Sequence, residues 1–183
     1  ALASVPATPG AATSFASAAN GLYKSTDGGS IWAKVMVGPN PDLGMVGLVV
    51  LGGNVLAASG PRVYRSSDSG LNWKSSTLPV SQLNAIGTGP VTSEGTSVIV
   101  GTSSGLYRSK DLGTSWVKVG SPTPGNEPIV AFATNGSALF AIVGGLGVYR
   151  SYDNGDTWKQ ASGGLHFGEL TSLTACGGQL FAA

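Results

Sequence analysis

An all-β fold, built from repeated sheets of four short antiparallel strands, is what the 183-residue sequence predicts. Three observations carry this. First, one line is written four times. It reads Gly21-Leu-Tyr-Lys-Ser-Thr-Asp27-Gly-Gly29-Ser-Ile-Trp32, then runs from Arg62 to Trp73, from Gly105 to Trp116 and from Gly147 to Trp158. Second, the aspartates Asp27, Asp68, Asp111 and Asp153 follow one another at intervals of 41, 43 and 42 residues. Third, apolar residues alternate with a period of two, and no segment sustains a helical period. A fixed period of about 40–45 residues with four short strands per unit is what one blade of a β-propeller needs.

The second unit places a strand over Gly44–Val50, a turn at Gly52-Gly53 and a strand over Val55–Ala58. In the third, Leu83–Gly87 is the first strand and Ser97–Gly101 the second. The fourth reads most fully. Ile129–Ala133 is strand one, Asn135-Gly136 a hairpin turn, Ala138–Val143 strand two, Gly147–Ser151 strand three and Thr157–Gln160 strand four. The chain closes on Gln179–Ala183, another apolar strand.

These assignments divide the single propeller, residues 1–183, into blades over about 1–38, 39–79, 80–122 and 123–164, with a partial blade over 165–183. The total is about four and a half blades, or 18 strands. An apolar strand at an open edge invites pairing with another chain. The expectation is a piece of a longer propeller, or one whose open ends are protected by remaining blades or a second chain. Repeat arrays tolerate this because each unit contacts mainly its neighbours.

Composition bounds the function classes. Charged residues are 10% of the chain, against a typical ~25%. The net charge is +1, and the Lys and Arg residues form no block. That gives no electrostatic case for nucleic acid or an anionic membrane surface. No run approaches the ~18 apolar residues of a spanning helix, so no membrane insertion is expected. Cys176 is a lone cysteine without an internal disulfide partner. The Ser-, Thr- and Gly-rich, Lys/Glu-poor composition leans towards an extracellular or periplasmic protein.

The pattern Ser-x-Asp-x-Gly-x-(Thr/Ser/Asn/Ile)-Trp resembles the Asp-box, or BNR repeat. That motif occurs in sialidases, xyloglucan-degrading glycosidases, sortilin-type receptors and photosystem II assembly factors of the propeller type. Its residues here are Ser25, Asp27, Gly29 and Trp32; Ser66, Asp68, Gly70 and Trp73; Ser109, Asp111, Gly113 and Trp116; Ser151, Asp153, Gly155 and Trp158. The resemblance covers the whole chain. It implies a structural turn between the third and fourth strands, on the blade periphery and away from any axial site.

The residues suit that role. An Asp carboxylate can accept hydrogen bonds from the backbone of its own turn. The four glycines supply a positive φ. Each Trp is expected to pack on the neighbouring sheet as a pin between blades, at about 3–5 kcal/mol if truncated to Ala. Ile31 in the first copy and Asn72 in the second depart from the usual Thr or Ser, and both could weaken the local hydrogen bonding.

Candidates for chemistry are sparse. A glycosidase needs two carboxyl groups flanking the scissile bond. Outside the repeated turns the acids are Asp42, Glu94, Glu127, Asp156 and Glu169. Glu127 and Glu169 hold equivalent positions at the start of first strands, and form the one conceivable acid/base pair. Arg65, Arg108 and Arg150, with Lys24 in the first blade, are repeat-equivalent. They read as surface residues whose stems cover apolar area while the heads stay wet, rather than as a carboxylate-binding triad.

No cofactor and no metal site are expected, since His166 and Cys176 cannot form a zinc site alone. Asp153-Asn154-Gly155-Asp156 lacks the downstream glutamate of a calcium loop. Asn135-Gly136-Ser137 is a glycosylation sequon on a hairpin tip.

Two classes of function follow. The first is a non-catalytic binding or scaffold module that meets a protein or glycan through its loops, with Gly87–Gly95 and Ser121–Glu127 as candidates. The second is part of a glycoside hydrolase whose catalytic residues lie in other blades. An assembly factor of the photosystem II type has the right repeat, but a net charge of +1 gives no basic patch for its partner, so it ranks lower.

Overall fold

A computed structural model describes residues 2–5, 13–38, 44–92, 95–123, 125, 127–165 and 170–183. Among these, 18 strands form and no helix does. The chain divides into two compact units, Ala1–Gln82 with Leu112–Thr114, and Leu83–Asp111 with Ser115–Ala183.

The first unit holds two four-stranded antiparallel sheets. One is β1 (Leu2–Val5), β2 (Thr13–Ala18), β3 (Gly21–Ser25) and β4 (Ala33–Val35), in chain order. The other is β5 (Gly47–Leu51), β6 (Asn54–Ser59), β7 (Arg62–Ser66) and β8 (Lys74–Thr77). The strand expected over Gly44–Val50 is thus shifted to Gly47–Leu51, and the Met45 N–H donates instead to the Ala18 carbonyl of the first sheet at 3.1 Å. Strand β1 lies beside β5. Phe15 and Leu22 of one sheet, with Leu48, Val55 and Tyr64 of the other, make one core between the two layers.

The second unit holds β9 (Leu83–Thr92), β10 (Gly95–Thr102), β11 (Gly105–Ser109) and β12 (Val117–Val119) in one sheet. The next is β13 (Ile129–Asn135), β14 (Ala138–Val143), β15 (Gly147–Ser151) and β16 (Lys159–Gln160). A two-stranded sheet, β17 (Leu173–Cys176) with β18 (Gln179–Ala182), follows. The first strands adjoin, β9 beside β13 and β13 beside β17. Ala85, Leu106, Ile129, Ala141 and Val143 fill the layer between the first two of these sheets, and Ile142, Val148 and Leu173 the next.

Two readings need correction. Gly87 to Thr92 is strand, not loop, and β9 pairs with β10 as an extended hairpin. Its glycines admit a neighbouring sheet. A Cβ on Gly87 would stand 2.5 Å from Phe132 Cβ, and one on Gly89 would overlap the Asn154 amide. Strand four of the fourth unit also starts later than expected, at Lys159, just after Trp158.

Candidate functional site

Each repeated turn bridges the third and fourth strands of its sheet, directly after Ser25, Ser66, Ser109 and Ser151. These serines are almost completely buried. Each donates its hydroxyl to the Oδ1 of Asp27, Asp68, Asp111 or Asp153 at 2.7 Å. In three turns the same hydroxyl oxygen accepts the N–H of Gly29, Gly70 or Gly155, at 2.9, 2.8 and 2.8 Å. A buried hydroxyl left unpaired would be costly, and this geometry satisfies it on both sides.

The aspartates close the other half of the turn. Their Oδ1 accepts the backbone N–H four residues on, from Ile31, Asn72, Ser115 and Thr157, at 2.8–3.0 Å. Their Oδ2 accepts the side chain of that same residue where it is polar. Asn72 gives its amide at 2.8 Å, Ser115 its hydroxyl at 2.6 Å, and Thr157 its hydroxyl. Ile31 has no donor to give Asp27.

The carboxyl groups titrate accordingly. The Asn72 backbone and side chain, then Ser66, hold Asp68 down at about 2. At Asp153 partial burial pushes upward, but Thr157 and Ser151 outweigh it and the value is again about 2. Asp27 is lowered by the Ile31 N–H and the Ser25 hydroxyl.

The tryptophans close the turns from outside. Trp32, Trp73 and Trp158 donate Nε1–H to the carbonyls of Gly29, Gly70 and Gly155 at 3.0, 3.2 and 3.0 Å. Trp73 packs on the core between the sheets of the first unit, and Trp158 on the first core of the second. Trp32 is exposed and packs on neither core.

Glu127 accepts the Thr123 hydroxyl at 2.7 Å, which lowers its pKa. A general acid needs the opposite shift. Its expected partner Glu169 lies outside the described residues, as do His166, Asp42 and Glu94.

The basic series departs from expectation. The Lys24 head is not left to water but donates to the Ser69 carbonyl at 2.8 Å. Arg108 donates to the Asn154 carbonyl at 2.9 Å and pairs with Asp156 at 3.2 Å. Both acceptors follow a repeat aspartate and have positive φ, 56° at Ser69 and 60° at Asn154. Leu112 shares that conformation at 56°. Sequence reading assigned positive φ to the glycines alone. The residue types Asn154 and Gly28 carry the signal for the preceding position, whereas Leu112 conceals it.

Among the described residues no group of three His, Cys, Asp or Glu side chains is placed to hold a metal ion. Cys176 is exposed. Asn135 Nδ2, the atom a glycan would take, donates to the Gly178 carbonyl at 2.7 Å. A cavity of about 260 Å³ in the second unit is walled by Val130, Ile142, Val143, Leu170 and Thr171, with glycines of the β14–β15 turn.

No family model and no curated protein matches the chain. Solved structures do. An ancestral GH74 enzyme superposes with a TM-score of 0.70 at 20% identity, over 91% of this chain and 26% of that one. The GH74 xyloglucanase from Xanthomonas campestris gives 0.67 at 18% identity, over 94% and 31%. YCF48 bound to D1 peptide gives 0.66 at 17% identity, over 99% of this chain and 65% of that one. A chain of a nidogen/laminin complex gives 0.70 at 12% identity, over 96% and 68%. The chain spans about a quarter of the ancestral GH74 enzyme and about two thirds of YCF48. The sheets, their order and these likenesses agree on one fold, and the chain is made of β-propeller blades.

Proposed function

We propose that this chain is a non-catalytic binding or scaffold module of the Asp-box type, which recognises a protein or a glycan through its loops. One observation carries the reading. The carboxylates of the repeated turns accept hydrogen bonds from their own turns, and Asp27, Asp68, Asp153 and Glu127 have lowered pKa values. They brace backbone and are poor proton donors near neutral pH. Two similar structures are recorded with a peptide or protein partner, YCF48 with a D1 peptide and nidogen with laminin. A secreted or periplasmic setting fits the composition.

The second reading is part of a glycoside hydrolase, favoured by the likeness to two GH74 enzymes over 26% and 31% of their lengths. An assembly-factor role of the YCF48 kind ranks third. The deciding experiment incubates the chain and Glu127→Gln with xyloglucan and aryl glycosides. The expected result is no turnover by either. Hydrolysis by the chain that Glu127→Gln abolishes would overturn the proposal.

A further inference from the structure

We infer that a cavity of the first unit, beside Arg65 and Lys74, is a binding site for the carboxylate of a uronic sugar, which rests on and narrows the glycan side of the role proposed above. The cations at this position of the third strand have partners in two other sheets. Lys24 donates to the Ser69 carbonyl and Arg108 to the Asn154 carbonyl. Arg108 also meets a carboxylate, that of Asp156, three residues after the repeat aspartate. Arg65 has the same place on β7, opposite Leu56, that Lys24 has opposite Phe15 and Arg108 opposite Ile99. The corresponding turn offers it Leu112, also left-handed at 56°, and has Thr114 where the later turn has Asp156. Among the described residues the side chains of Arg65 and Lys74 have no hydrogen bond or ion pair.

These two cations line a cavity of about 160 Å³ together with Ser75, Ser76, Gly113 and Thr114. All of them belong to the first unit. Ser76 makes the room. It stands opposite Val63, where the first and third sheets place Val35 and Val119 opposite Leu22 and Leu106. Val35 is a core residue and Val119 packs on a core. Serine is smaller than valine, and its hydroxyl donates to the Gly113 carbonyl, which fixes the turn across the cavity.

Arg65 and Lys74 are directly opposite each other in the β7–β8 register. Like charges so placed repel, and no acidic side chain among the described residues lines the cavity. An anion between the two cations relieves that repulsion. A guanidinium fork beside an ammonium suits a carboxylate, and Arg108 with Asp156 makes such a pair within this chain at 3.2 Å. Ser75 and Thr114 add hydroxyl groups to the same wall. They match the ring hydroxyls beside the carboxylate of a uronic acid, whereas a glutamate side chain brings only methylenes. The cavity is small, so it takes one sugar acid and not a run of chain.

The test titrates trigalacturonate into the chain by calorimetry, with backbone amide NMR as a second readout. The expected result is saturable binding that shifts the amides of Ser75, Gly113 and Thr114. Fully methyl-esterified trigalacturonate, which keeps the rings and loses the charge, should bind at least tenfold more weakly. Arg65→Met and Lys74→Met, with circular dichroism matching the parent, should each weaken trigalacturonate binding at least tenfold. Thr114→Asp should do the same, by placing beside Arg65 the carboxylate that Asp156 gives Arg108. No saturable binding, equal binding of the ester, or equal binding by Arg65→Met overturns the inference. Tighter binding of triglutamate than of trigalacturonate also overturns it, because the site would then belong to an acidic protein. Turnover of xyloglucan is read in a separate assay, so the non-catalytic reading and this site fail independently.

Discussion

The guanidinium of Arg108 on β11 donates to the backbone carbonyl of Asn154, 2.9 Å away, and so ties one sheet to the turn of the next. The acceptor is a left-handed residue whose conformation the turn imposes. Removing the donor leaves a partly buried carbonyl unpaired. Arg108→Met, which keeps the apolar stem, should cost about 1–3 kcal/mol, read as a lower midpoint in urea. Asp156 is half exposed, so Asp156→Asn should change stability by less than about 1 kcal/mol.

Ile31 is the one residue at its repeat position without a polar side chain, and it is 73% exposed. Ile31→Thr should give Asp27 Oδ2 the hydroxyl that Thr157 gives Asp153. Stability should rise slightly, read as a higher midpoint in urea. Carboxyl-carbon NMR titration should show the Asp27 pKa falling towards the value of about 2 that Asp153 has. An unchanged pKa would mean the hydroxyl does not reach the carboxylate.

Acid should act on the turns in a defined window. Asp68 and Asp153 fall from 3.8 to about 2 on folding, so folding favours their ionised forms. That contribution is complete above about pH 4 and disappears as pH falls towards about 2. Asp27 and Glu127 are shifted in the same direction. The thermal midpoint should drop steeply across this range. In Asp68→Asn the drop should be shallower, from a lower starting midpoint.

Gly101 shows how little room the layers leave. A Cβ there would stand 2.5 Å from Ile129 Cβ, which is buried and carries backbone close behind it. Gly101→Ala should cost about 1–3 kcal/mol by overpacking. Gly163→Ala, where the added atom meets nothing within 4 Å, should be close to neutral in the same urea assay.

Much was legible in the chain before any coordinates. The strands Ala138–Val143 and Gly147–Ser151 have the bounds that their alternation and flanking turns indicate. Local chemistry suffices there, because hairpin geometry is set by a few residues around Asn135-Gly136 and Gly144-Gly145. The Ser-to-Asp spacing likewise contains its own hydrogen bonds, since every partner lies within four residues.

What the chain could not display was distance between repeats. The glycines of Gly87–Gly95 looked like a loop, yet Gly87 and Gly89 are strand residues kept small by Phe132 and Asn154. Lys24 and Arg108 looked like wet surface cations, yet their heads find carbonyls 45 and 46 residues away. Sequence alone determined the sheets, their repeat and the turn chemistry, because those forces act between near neighbours along the chain. The tertiary structure alone decided which glycines carry neighbouring layers and which cations are latched. Those outcomes depend on how closely successive sheets stack, which no short stretch of residues encodes.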